Sequence, residues 1–145
     1  MGTRSITRVF TEEDEFLLFM YRQMDGYPEG HGMDLANFLS GRTIVNGIRE
    51  ENFIANGMEC LAAQIVAHFK DGPGGIYIEP VGEREYWPFI EFVYDVKFAF
   101  LGKEAKMIVH DVRRGDGNGV LNTLFECTAS DYKTEVKKHY GEYDE

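Results

Sequence analysis

The sequence predicts an α+β fold, a single domain over residues 1–145 with an antiparallel β-sheet of about five to six strands and two to three helices packed on one face. Three observations carry that expectation. Segments with two-residue alternation cluster at the start and in the second half of the chain. Between them lies one segment of clear helical spacing, and tight glycine-containing turns separate most of the strand-like runs.

The elements follow in order. Residues 3–10 alternate, with Arg4, Ile6, Arg8 and Phe10 on one side and Thr3, Ser5, Thr7 and Val9 on the other, which predicts a strand with neither side purely apolar. Thr11-Glu12-Glu13-Asp14 reads as a solvated polar turn, and 16–23 as a second, almost continuously apolar strand, so the two form an N-terminal hairpin. After a loop rich in glycine, 33–39 predicts a short helix striped by Leu35, Phe38 and Leu39 and stopped at Ser40-Gly41. Residues 43–57, broken by Asn46-Gly47 and Asn56-Gly57, read as a connection with little regular structure. In 58–70 the residues Met58, Leu61, Ala62, Ile65, Val66 and Phe69 fall on one helical face, with Asn56 and Glu59 as a capping box and Asp71-Gly72-Pro73-Gly74-Gly75 as the stop. A short strand is expected over 76–79.

Residues 87–101 give the strongest strand pattern. Ile90, Phe92, Tyr94, Val96, Phe98 and Phe100 point one way, and Glu91, Asp95 and Lys97 the other. A turn at Gly102-Lys103 leads to an antiparallel partner over 106–112, a glycine-rich turn over 113–119 and a further strand over 120–127. Thr128-Ala129-Ser130-Asp131 opens a last helix over 132–139, followed by a frayed end.

Composition excludes several classes. Apolar residues make up 43% and aromatic residues 14%, too many for a disordered chain. The longest apolar run, Phe16-Leu17-Leu18-Phe19-Met20-Tyr21, is far short of the roughly 20 residues of a membrane span. No secretory signal is visible, so a cytoplasmic location is expected. A formal charge of −10 argues against direct nucleic-acid binding and suits a basic partner, although an acidic surface also serves solubility. Cys60 and Cys127 define neither a disulfide framework nor a zinc site and read as reduced, partly buried thiols.

Three segments carry groups that bind. The first is the loop Arg22 to Gly32, where Arg22, Asp25, Tyr27, Glu29 and His31 sit among glycines and Pro28. Arg22 offers a fork to carboxylate or phosphate, and His31 with Asp25 or Glu29 could act as base and acid. The structural alternative is a rigid turn in which Arg22 pairs with Asp25 or Glu29 and His31 packs inside. The second is Arg113-Arg114-Gly115-Asp116-Gly117-Asn118-Gly119, a hairpin turn or an anion cradle. Cys127 stands where a calcium loop needs its closing glutamate, and no P-loop lysine follows. The third groups Tyr77, Tyr86, Trp87 and Tyr94 around Arg84, which reads as sheet packing more readily than base stacking. His68, His110 and His139 lack any metal-ligand spacing and read as structural or solvated, so no metal or cofactor is expected.

Gly2-Thr3-Arg4-Ser5, Tyr21-Arg22-Gln23 and Asp25-Gly26-Tyr27-Pro28-x-Gly30-His31-Gly32 together resemble a family of small proteins encoded by phages and by bacterial genomes that carry prophages. The resemblance brings no activity, cofactor or catalytic residue with it. It implies a mobile-element setting inside a bacterial host cell, and hence a protein that inhibits or redirects a host or defence protein by direct contact. Arg22, Asp25, Tyr27 and His31 are the expected contact residues. The alternative is a protein that binds or sequesters a small nucleotide, with Arg4, Arg22, Arg113 and Arg114 meeting the phosphates. An enzyme using His31 with Asp25 ranks last, because no nucleophile or metal set accompanies the pair.

Overall fold

The computed structural model describes residues 2–47, 53–82, 89–112 and 121–141. The glycine-rich turn with Arg113 and Arg114, the Arg84, Tyr86 and Trp87 group and the last four residues lie outside them. The eight strands are β1 (Ser5–Phe10), β2 (Phe16–Arg22), β3 (Thr43–Val45), β4 (Ile54–Asn56), β5 (Ile76–Glu79), β6 (Phe92–Lys97), β7 (Lys106–Asp111) and β8 (Asn122–Thr128). The helices are α1 (Met33–Leu39), α2 (Gly57–Phe69) and α3 (Tyr132–Tyr140). A π-helical turn, Pro28–Gly32, leads into α1, and a 3-10 turn, Ala129–Asp131, into α3.

The fold is α+β, with six strands ordered β5-β2-β1-β6-β7-β8 and a separate pair β3-β4. The main sheet is mixed rather than purely antiparallel. Every pairing is antiparallel except β1 with β6, which run parallel in the register Ser5↔Phe92 to Val9↔Val96. The chain leaves β2, makes α1, α2 and the edge strand β5, and returns to the far side of β1, so that β6 meets β1 from a crossover and not from a hairpin.

All three helices lie on one face. Leu35, Leu39, Met58, Leu61, Ile65, Tyr132 and Val136 pack with Val9, Met20, Tyr94, Val96, Met107 and Val109 in one buried cluster. At roughly 1.5–3 kcal/mol for each large side chain withdrawn from water, this cluster is the main source of stability. The other face of the sheet carries a smaller cluster of Ile6, Phe19, Val93 and Val112, with Ile90 packed against it. Ile90 therefore joins the opposite face from Phe92, so the alternation expected through this segment is broken before β6 begins, next to a positive φ of 69° at Phe89. The strand expected over 87–101 is regular only over Phe92–Lys97.

Two further expectations are corrected. Residues 43–57 hold the parallel pair β3-β4, with Thr43↔Ile54 and Val45↔Asn56 in register. The capping box does not form. Asn56 Oδ1 accepts from the Gly47 amide at 2.8 Å, and the Met58 amide at the start of α2 donates to Glu12 Oε2 at 2.9 Å. Glu12 belongs to the turn read as solvated. A carboxylate among the orphan amides of a helix start satisfies a donor and complements the positive end of the helix dipole, so that turn is tied to α2.

Candidate functional site

The loop between β2 and α1 is drawn back onto the sheet by its own backbone. The Gly26 amide donates to Thr3 O at 2.8 Å, the Gln23 amide to Gly75 O at 2.9 Å and the His31 amide to Asp25 O at 2.8 Å. Two buried tyrosines clamp it from below. Tyr94 Oη donates to Gly26 O at 2.7 Å, and Tyr132 Oη to Pro28 O at 2.8 Å. Burial, followed by the neighbouring Tyr132, raises the Tyr94 hydroxyl well above its ordinary value, so it stays a donor. The path is tight enough to dictate glycine. A Cβ on Gly26 would come within 2.8 Å of the Ser5 Cβ, and one on Gly32 would run into the Tyr132 hydroxyl.

His31 is fully buried, against the rings of Phe69 and Tyr94. Its Nδ1 lies 3.0 Å from Arg22 Nη1 and its Nε2 2.7 Å from Thr7 Oγ1. A guanidinium can only donate, so Nδ1 accepts and Nε2–H donates to Thr7. Burial and then the Arg22 charge lower the imidazole to about 3. His31 is thus neutral at ordinary pH and turned away from solvent. It braces the loop and Arg22 from within, and it has neither the exposure nor the basicity expected of a surface contact or a general base.

Arg22 is the hinge between interior and surface. Besides His31, Nη1 reaches Asp34 Oδ2 at 3.2 Å and Nε reaches Met24 O at 2.7 Å. The expected partner Asp25 or Glu29 is replaced by Asp34, which α1 presents from its first turn. Nη2 has no partner among the described residues. Outward along the loop, Met24 is 55% and Tyr27 40% exposed, and Asp25 is exposed with a positive φ of 60°. Glu29 and Arg4 are half-buried. Arg4 gives its carbonyl to the Glu91 amide and does not line the cleft beside the loop. Of the four arginines expected at phosphates, Arg22 lines this cleft and Arg4 does not, and Arg113 and Arg114 lie outside the described residues.

That cleft, about 560 Å³, opens between the end of β2, α1, the C-terminal end of α2 and the 71–75 turn. Phe38, Phe69 and Ile76 supply apolar wall, and Arg22, Asp34, His68 and Asp71 supply the polar groups. Two planar groups contact the Phe38 ring, His68 stacked at 4.4 Å and the Arg42 guanidinium at 4.2 Å from its centroid. Two carboxylate residues and one arginine line the cleft, Asp34 already pairs that arginine, and the negative end of the α2 dipole adds to the acidic side. The field in the cleft suits a positive group better than a phosphate.

A second polar group crosses four neighbouring strands on the face opposite the helices. Arg8 grips Asp95 through Nε at 2.6 Å and Nη2 at 2.7 Å, His110 Nε2 meets Asp95 Oδ2 at 2.8 Å, and Thr123 Oγ1 meets His110 Nδ1 at 3.0 Å. Burial alone would raise Asp95, but the hydrogen bonds from His110 and Arg8 outweigh it and hold the carboxyl below its usual value. His110 was expected to be structural or solvated; its neighbours in this line come from strands far apart in sequence. The one available signal is the placing of charged or polar residues at alternate positions inside otherwise apolar strands.

Among the described residues no three His, Cys, Asp or Glu side chains converge as metal ligands, and no helix is long and apolar enough to cross a membrane. Both cysteines are free thiols, and burial followed by the nearby Glu135 pushes Cys127 up to about 12, which makes it a poor nucleophile. Comparison with protein families, with curated proteins and with solved structures returns no match.

Proposed function

We propose that this chain is a binding protein of phage or mobile-element type that engages a host or defence protein by taking a basic, partly apolar segment of it into the cleft beside the Arg22–Gly32 loop. One observation carries this reading: the cleft joins apolar walls to the unequal set of Asp34 and Asp71 against Arg22, next to the outward-facing Met24 and Asp25. A lysine or arginine side chain would meet the two carboxylates, and an adjacent apolar side chain would cover Phe38 and Ile76. The net charge of −10 would speed approach of such a partner. The resemblance of the N-terminal third supplies the biological setting. Arg22 acts here as a brace for Asp34, and His31 as a brace for Arg22.

The reading is tested with labelled peptides that place arginine or lysine beside leucine or phenylalanine, compared with the same peptides carrying glutamate. Fluorescence anisotropy should give binding to the basic set that weakens with salt and is lost in the Asp34→Lys, Asp71→Lys double variant. Equal affinity for both sets would remove the proposal. Thermal stabilisation by one nucleotide from a panel, with no peptide binding, would favour the nucleotide-sequestering alternative in its place.

A further inference from the structure

We propose that Thr123 is a nucleophile activated by His110, and that this edge of the sheet hydrolyses small activated esters or thioesters through an acyl-threonine, independently of the cleft. The geometry is a hydroxyl, an imidazole and a carboxylate in line. Asp95 is ionised and can only accept, so the proton of the imidazole sits on Nε2 and points at Asp95 Oδ2, 2.8 Å away. In the neutral ring Nδ1 then carries the lone pair, and its partner at 3.0 Å, the Thr123 hydroxyl, donates to it. A nucleophile hydrogen-bonded to a base that a third group orients is the arrangement that activates serine and threonine hydroxyls.

Exposure differs along the line in the sense that catalysis needs. Asp95 is 3% and His110 7% exposed, whereas Thr123 lies exposed on β8, an edge strand of the sheet. Water could satisfy a hydroxyl there, so its alignment on a buried imidazole is not required for solvation. Asp95 and Arg8 are positioning residues. Arg8 fixes both carboxylate oxygens, at 2.6 and 2.7 Å, and so fixes the ring that Asp95 holds.

The step balances without any other reagent than water. Thr123 Oγ1 bonds to the acyl carbon as its proton passes to His110 Nδ1. The carbonyl π pair moves to oxygen and returns to expel the alcohol or thiol, which takes that proton from Nδ1. Water then attacks the acyl-threonine with Nδ1 again as base, the carboxylic acid leaves and the Thr123 hydroxyl is restored. The substrates are acyl groups with good leaving groups, whose departure asks least of a general acid.

The test uses the full chain with p-nitrophenyl acetate, following p-nitrophenol release and mapping the acetylated residue by peptide mass spectrometry. The expected result is an acetyl group on Thr123 that persists in Thr123→Ser and is absent in Thr123→Ala and His110→Gln, with turnover in Thr123→Ala lower by about 100-fold. Acetylation confined to lysines and tyrosines, or equal turnover in wild type and Thr123→Ala, would overturn it. Thr123 is exposed, so the alanine variant remains informative even where His110→Gln fails to fold.

Discussion

Two buried histidines, one on each face of the same sheet, are handled in opposite ways. His31 lies under the helices with a guanidinium at one nitrogen and a threonine hydroxyl at the other. His110 lies on the opposite face with a carboxylate at one nitrogen and a threonine hydroxyl at the other. Exchanging the charged neighbour reverses the direction of the threonine bond. Beside Arg22 the imidazole must donate to Thr7; beside Asp95 it can accept from Thr123. The lesson is that burial alone does not fix what an imidazole does, since the sign of its charged partner selects the tautomer.

The comparison can be broken hardest at Asp95. Asp95→Asn leaves the half-sequestered Arg8 guanidinium without its anion and removes the orientation of His110. Loss of one partner of such a buried pair costs about 3–5 kcal/mol, and a urea melt should read a loss of that size. A change under 1 kcal/mol would mean that solvent reaches the pair.

Acid separates the two histidines next. The folded chain holds His31 at about 3 against 6.5 for the ordinary side chain, so the unfolded chain takes up the proton first. Its contribution is complete above pH 6.5 and is lost progressively as pH falls towards 3, by an amount on the order of 5 kcal/mol. Asp95, whose folded value is depressed, adds to acid lability in the same direction, but only as pH falls below the ordinary carboxyl range. Denaturation midpoints at a series of pH values should therefore fall less steeply in His31→Gln than in wild type between pH 6.5 and 4.5. Parallel slopes would assign the acid lability elsewhere.

The smallest effect sharpens the tautomer assignment. Thr7→Val keeps the shape of the side chain but leaves His31 Nε2–H without an acceptor, which should cost about 1–3 kcal/mol. The same replacement at the exposed Thr123 should stay within about 0.5 kcal/mol. Equal costs at the two sites would mean that the His110 nitrogen behind Thr123 is as closed to water as that of His31.

Much of the fold was legible because its elements repeat. Met58, Leu61 and Ile65 mark α2 by spacing alone, and the alternation of Phe92, Tyr94 and Val96 marks β6. The strands β3 and β4 were not legible, since three residues give no measurable alternation and the two partners are separated by residues 46–53. The parallel pairing of β1 with β6 leaves no local trace either. At the candidate site, the glycines and charges of the loop Arg22–Gly32 mark a constrained backbone path, but not which way its side chains turn. Whether His31 faces inward depends on Thr7, Phe69 and Tyr94, three elements distant in sequence. Asp34 and Asp71 carry no motif and come to line one cleft only when α1 and the end of α2 meet.

The central place of β1 has a consequence for how the molecule is made. It is the first strand described, yet one of its two flanks is completed only by β6, more than eighty residues later in the chain. During synthesis the hairpin of β1 and β2 must wait with one row of amides and carbonyls open while the helices and β5 emerge. Pairing of that kind closes late and slowly. A nascent chain halted before Phe92 would offer that bare flank to other chains, and assembly of the sheet should follow release of its second half from the ribosome.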